Sequence, residues 1–261
     1  VIDVNTAFTI RGSVAAVTGA SSGLGRRMAI DLAASGAVVT GIARREEPLR
    51  ALAGEMQRSS PESGYVVCDV SDTDRFAGVL ADLEARHGRI DLLINDAGIG
   101  EPEGDGIAKY RTVLETNFFA AVAGTLAVLP GMLERRHGAV VNVSSDTGRA
   151  PGPGEPAYAA SKAALSAFTE SLSYEVEARG VHLHVLYPGF VPTPMTQGTT
   201  DPDKVPKFVR RTEGQVSQTV LRGLGRPRVE IDATRIARLA PVARALLPGA
   251  YRRGVRSFSP T

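Results

Sequence analysis

An α/β domain built on a doubly wound parallel sheet is the fold class this chain predicts, and three observations predict it. Short β-rich apolar runs alternate with amphipathic stretches along most of the length. The runs are continuously apolar, as strands buried on both faces require. A glycine-rich string follows the first run directly and opens the first helical stretch. With 261 residues, 43% of them hydrophobic and 22% charged, the chain is long enough for one large domain and ordinary in composition for a globular one. No linker, repeat or change of composition interrupts it before about residue 200, so residues 1–261 are read as a single domain.

Strands are expected at 14–18, 38–42, 65–68, 92–95, 139–143 and 182–187, with helices at about 23–35, 45–57, 72–87, 110–135 and 158–179. Ser71 is placed to cap the helix from Asp72. Gly36, Gly88, Gly138 and Gly180 follow helix ends, where a left-handed residue is wanted. Beyond the sixth strand the pattern loosens into a Pro-, Gly- and Thr-rich segment, with a lid-like loop at about 190–212. Thr212 and Gln215 then form a capping box for a helix through Leu224, and a strand near 229–231 closes the sheet. Over 233–247, Ile236, Leu239, Ala243 and Leu247 share one face while Arg235, Arg238 and Arg244 lie elsewhere, and Pro241 is expected to kink the helix.

Net charge is +2, which points to no nucleic-acid partner. The charge is uneven: residues 222–261 hold nine arginines against Glu230 and Asp232, a local +7 that leaves −5 on the rest. This basic C-terminal extension, about 226–261, allows weak peripheral membrane contact, although solvated arginines explain it more simply. Cys68 is the only cysteine, which excludes an intramolecular disulfide and a cysteine metal cluster. His182 and His184 share a strand face but lack a third ligand, so no metal site is expected. No run approaches the ~20 apolar residues of a membrane span, and the first residues lack a signal-peptide layout. A cytoplasmic location is therefore expected.

The glycine string is Thr18-Gly19-Ala20-Ser21-Ser22-Gly23-Leu24-Gly25. Glycines let a backbone approach a pyrophosphate closely, and the new helix presents free N–H groups at its positive end. A second constellation lies further on. Tyr158 and Lys162 are four residues apart, so phenol and ammonium project from one helical face. A nearby cation favours the phenolate, lowering a pKa that starts near ~10 and allowing proton exchange with an alcohol or carbonyl oxygen. Ser145, thirteen residues upstream, is positioned to hold that oxygen, with Ser144 as its competitor.

Together with Asn95-Asp96-Ala97-Gly98, Asn117 and Pro188-Gly189, these motifs over about residues 10–195 resemble the short-chain dehydrogenase/reductase family. The resemblance implies one Rossmann-type dinucleotide-binding and catalytic domain, sheet order 3-2-1-4-5-6-7, and a nicotinamide dinucleotide. Carried over residue by residue, Tyr158 becomes the general acid/base. Lys162 lowers its pKa and holds the nicotinamide ribose, Ser145 positions the substrate oxygen, and Asn117 supports a water relay. Gly19, Ser21, Ser22, Gly23, Leu24 and Gly25 would cradle the phosphates. Asn95, Ala97 and Gly98 would form the cofactor floor, with Asp69 and Val70 beside the adenine. Pro188, Gly189, Val191 and Thr193 would flank the nicotinamide, Thr193 bonding its carboxamide. The family often has Asn or Ala where Asp96 stands.

NAD binders of this fold usually carry an acid at the end of the second strand, where this chain has Ala43 followed by Arg44. A guanidinium there suits a 2′-phosphate, which favours NADP(H), with NAD(H) as the alternative. The implied reaction is ketone reduction, or secondary-alcohol oxidation, by hydride transfer. A nucleotide-sugar epimerase shares the Tyr/Lys pair but has a different glycine spacing and a longer C-terminal part. A non-catalytic dinucleotide sensor and an NAD-dependent alcohol dehydrogenase are the other readings. Phe190, Val191, Met195, Val205, Phe208 and Val209, with loop 146–156, point to a largely apolar carbonyl substrate, whereas Lys204, Lys207, Arg210 and Arg211 would greet an acidic one. A homodimer or homotetramer is expected. The Gly-rich ending of acyl-carrier reductases is missing, which weakens the tetramer.

Overall fold

Seven strands run parallel: β1 (Val14–Thr18), β2 (Val38–Ala43), β3 (Gly64–Val67), β4 (Leu92–Asn95), β5 (Gly138–Val143), β6 (Val181–Tyr187) and β7 (Glu230–Asp232). Their order is β3-β2-β1-β4-β5-β6-β7. This computed structural model describes residues 8–196, 205, 207–234 and 238–257; Lys204, Arg235, Ile236 and much of the expected lid lie outside the described residues. β1 sits at the centre, with Ala15 opposite Val39 of β2 on one side and Leu92 of β4 on the other.

The helices are α1 (Gly23–Ala34), α2 (Glu46–Met56), α3 (Thr73–His87), α4 (Ile107–Leu114) and α5 (Ala120–Arg135). After them come α6 (Asp146–Arg149), α7 (Pro156–Val176), α8 (Glu213–Gly223), α9 (Leu239–Leu246) and α10 (Pro248–Ser257). One core packs Met28 and Leu32 of α1, Leu49 and Leu52 of α2, and Val216 and Val220 of α8 against Val17, Val39 and Ile94 of the sheet. The other packs Phe76, Leu80 and Leu83 of α3 with Val128 and Met132 of α5 against Leu93 and Val140. The sheet is thus covered on both faces, as its uninterrupted apolar strands require.

Three local expectations are corrected. The cap of α3 is Asp72, whose carboxylate accepts the Arg75 amide, while Ser71 bonds Asp69 instead. Gly36, Gly88 and Gly180 adopt positive φ, but Gly138 does not: Arg136, at φ 52°, ends α5 in its place. Gly138 answers to packing, since a Cβ there would lie 2.5 Å from Met132 Cγ. Pro241 falls in the first turn of α9, where its missing N–H leaves no bond unmade, so the helix starts there and is not kinked by it.

The stretch Ile107–Arg135 is long and apolar enough to cross a membrane by length and composition, which counting uninterrupted apolar runs did not reveal. Its apolar side is occupied by the protein: Val113, Ala121, Val128 and Met132 are buried. The capping box is present in full, with the Thr212 hydroxyl accepting the Gln215 amide and the Gln215 side chain accepting the Thr212 amide. Thr212→Ala is expected to lower stability by about 1 kcal/mol. A urea midpoint unchanged from wild type would refute that cap's contribution. His184 is a core histidine. Its Nδ1 meets the Arg228 carbonyl, its Nε2 accepts the Gly225 amide, and burial brings its pKa down to about 4.

Candidate active site

The carboxyl ends of the strands hold the candidate site, beside the point where strand order reverses between β1 and β4. β1 ends in Thr18, whose hydroxyl accepts the amides of Asp96 and Ala97, each at 3.0 Å. That seats the turn after β4 against the glycine loop, and the close approach dictates glycine. A Cβ on Gly19 would stand 2.9 Å from the Ala97 nitrogen, and one on Gly25 2.7 Å from Asp96 Oδ2. Ser22, at the N-cap of α1, makes no side-chain capping bond, and with the Gly25 amide taken by the Asp96 carboxyl, the amides of Gly23 and Leu24 are left for an anion. The Thr193 methyl would lie 3.5 Å from a Cβ on Gly23, so the loop after β6 reaches the start of α1. The turn at Gly189, φ 73°, also excludes a side chain, because a Cβ would meet Thr234 Cγ2 at 2.6 Å. A cradle this narrow, with an uncapped helix start, fits a dinucleotide's pyrophosphate.

Some of the expected residues also serve the fold. The Asn95 amide donates to Asn142 at 2.8 Å and to the Ala121 carbonyl at 3.3 Å, tying β4 to β5 and α5, so this side chain supports the sheet. Val70 and Val191 are buried in the two cores. At the adenosine end, Asp69 accepts the Ser71 amide and hydroxyl at 3.0 and 2.8 Å, and Arg44 stands 3.7 Å away. Burial pushes the Asp69 carboxyl up, but Ser71 and Arg44 outweigh it and hold the pKa below the usual value. Arg45, expected only as part of a helix start, donates to the Ser21 and Ser22 hydroxyls at 2.9 Å each. It supplies the second cation that the phosphate loop itself lacks.

The second half of the site is carried by α7. Its first helical residue, Pro156, has no N–H to lose. The Tyr158 amide donates to Glu101 at 2.9 Å, and Glu101 pairs with Lys109 of α4 at 2.7 Å. Glu101 therefore anchors the turn that carries the phenol. In the sequence it was one of several acids in an exposed-looking loop, and no local signal separated it from Glu103. Asn117 sits in a π turn, Glu115–Phe119, that joins α4 to α5. Its side chain exchanges bonds with both backbone groups of Ile99, at 2.8 and 2.9 Å, and meets Ser161 at 3.1 Å. A Cβ on Gly98 would lie 3.2 Å from Asn117 Oδ1 and 3.5 Å from Lys162 Nζ, so this glycine keeps the floor open.

Tyr158 and Lys162 do share a face, with Nζ 5.7 Å from the ring centroid and donating to the Val143 carbonyl at 2.8 Å. Ser144 is buried and bonds the Lys162 carbonyl and Ser166, a structural strut. Ser145 is the serine beside the phenol. The electrostatics differ from expectation. Burial pushes the Tyr158 pKa up to about 12; Ser145 opposes this, and Glu155, Asp96 and Asp146 add to it. The Lys162 ammonium is itself buried, which brings its pKa down to about 8 against the pull of Asp96. Burial raises Asp96 to about 7, opposed by Lys162 and the Gly25 amide. A phenol in this state remains protonated at neutral pH and can donate a proton to an oxygen held by Ser145.

Loop 146–156 is fastened from the far side. The Arg149 guanidinium lies 3.2 Å from the centre of the Tyr187 ring and pairs with Glu230 and Asp232 of β7. Burial pushes the Asp146 carboxyl up to about 6, against the pull of Arg149. Arg210 and Arg211, expected to meet an acidic substrate, instead bond backbone carbonyls of Val205, Ala233 and Phe208 and hold their own loop.

A parallel sheet reversing beside a glycine cradle, with a phenol and an ammonium on the next helix, defines a dinucleotide-binding oxidoreductase domain of Rossmann type. The chain belongs to the short-chain dehydrogenase family, whose model matches residues 13–204. It is 41% identical over 189 residues to a short chain dehydrogenase of Pseudocercospora fijiensis, covering 70% of this chain and 60% of that one. It is 34% identical over 200 residues to 3-oxoacyl-[acyl-carrier-protein] reductase of Escherichia coli, covering 74% and 80%. The crystal structure of a short-chain dehydrogenase from Streptomyces avermitilis superposes with TM-score 0.77 at 29% identity, covering 95% and 98%. The family acts on CH–OH and C=O groups with NAD(P)(H).

Proposed function

We propose that the protein reduces a largely apolar ketone with NADPH, Tyr158 acting as the acid. The observation that carries this reading is the phenol of Tyr158, protonated by its burial, standing between Ser145 and the Lys162 ammonium at the mouth of the glycine cradle. When bound, the nicotinamide supplies a hydride to the carbonyl carbon. Ser145 holds the carbonyl oxygen, Tyr158 delivers its proton there, and the Asn117–Ile99 contact keeps the floor beside Lys162 in shape. Lys162 and Thr193 would hold the ribose and carboxamide, and the amides of Gly23 and Leu24 would hold the pyrophosphate. The exposed side chains of Met195 and Phe208 support an apolar substrate, and the use of Arg210 and Arg211 as loop fasteners speaks against an acidic one. Exposed Phe119 and Leu126 near and on α5 and Tyr174 on α7 support a dimer through these helices.

NADPH preference rests on Arg44 and Arg45, two guanidiniums at the end of β2, a strand end that carries no carboxylate of its own, with Asp69 of the neighbouring strand end 3.7 Å from Arg44. A panel of ketones assayed with NADPH and NADH tests both parts. Turnover of an apolar ketone with NADPH is expected, and replacing Arg44 and Arg45 by Ala is expected to raise KM for NADPH roughly 10- to 100-fold while leaving NADH unchanged. Equal losses with both dinucleotides would remove the 2′-phosphate argument. Equal wild-type rates would do the same.

A further inference from the structure

We propose that α9 and α10 form an amphipathic arm that docks the enzyme on an anionic lipid surface. α9 is apolar, yet none of its side chains is buried. Leu239, Val242 and Leu246 recur at helical spacing on one side and are 61%, 50% and 74% exposed, followed by Leu247 at 63%. An eight-residue helix does not hold itself together in water, so an apolar one with no buried face calls for a covering surface.

Charge identifies the cover. Residues 238–257 contain Arg238, Arg244, Arg252, Arg253 and Arg256 and no carboxylate. Arg238 pairs with Asp232, and Arg244 donates to the Arg149 carbonyl at 3.0 Å, which ties the arm to the body. Arg252, Arg253 and Arg256 are exposed and have no ion pair among the described residues. Packed against the same arm of a second copy, it would bring five guanidiniums against five. An anionic bilayer meets both properties at once: acyl chains take the leucines, headgroups take the arginines, and a fluid surface needs no matching groove.

The test is co-sedimentation of the full chain with phosphatidylcholine vesicles, with and without 30% phosphatidylserine (about a third anionic lipid), at low and high salt. Binding is expected only with phosphatidylserine. It should fall at least tenfold at high salt, in the triple variant R252E/R253E/R256E, and in V242D/L246D. All five positions are exposed, and far-UV circular dichroism and ketone reduction report whether each variant remains folded. Absence of binding, or equal binding to neutral vesicles, overturns the proposal. So does V242D/L246D dissociating an oligomer in light scattering while leaving vesicle binding intact, or polyglutamate binding more tightly than the vesicles.

Discussion

Tyr158→Phe is expected to lower ketone reduction by roughly 10²–10⁴-fold in kcat, with dinucleotide affinity little changed, because general acid catalysis contributes about that much. The ring, its burial and its position on α7 persist in the variant; only the transferable proton is removed. The pH dependence follows from the raised pKa. A phenol at about 12 is fully protonated below pH 10, so this group imposes no alkaline limb on reduction in the working range. Alcohol oxidation needs the phenolate, and its rate rises by about tenfold per pH unit from pH 7 to 9. Oxidation that is flat across that window would mean a phenolate already formed near neutrality. That result would restore the lowered pKa expected from the Tyr–Lys spacing alone.

Asp96→Asn is expected to stabilise the protein, and more so as pH rises. The Asp96 carboxyl faces the Gly25 amide of α1, Lys162 of α7 and, more distantly, Glu213 of α8. Its folded pKa of about 7 lies above the ordinary 3.8, so the folded state holds the proton more tightly. Stability from this group is therefore complete below about pH 4 and is lost as pH climbs through 7. The full loss is at most roughly 4 kcal/mol, of which about 2–3 kcal/mol falls between pH 5 and pH 8. Asparagine does not titrate, so the stability difference between the variant and wild type should grow by that amount across the window. Urea unfolding of both proteins at pH 5 and pH 8 measures it, and a difference independent of pH would show that Asp96 is ionised throughout.

The strands and most helices were legible because burial on both faces forces long apolar runs, and 14–18 and 92–95 were found to the residue. The Thr212–Gln215 box was legible because its two partners are three residues apart. Places governed by contacts distant in sequence were not. Gly138 looked like a helix stop, although it is glycine to make room for Met132. That the Asn95 amide ties β4 to Asn142, 47 residues away, was equally out of reach.

Local spacing was enough to put Tyr158 and Lys162 on one side of a helix, and to place glycines where a backbone must come close to an anion. Those are properties of a few neighbouring residues and a helical repeat. The charge state of the phenol was beyond that reach. It depends on Asp96, Asp146, Glu155 and Ser145, which reach Tyr158 from the β4 turn, the β5 loop and the start of α7, and on burial that exists only once the layers have packed. Folding brought Glu101 beneath Tyr158 and Arg45 to the phosphate loop for the same reason: long-range neighbours are set by the path of the chain through space.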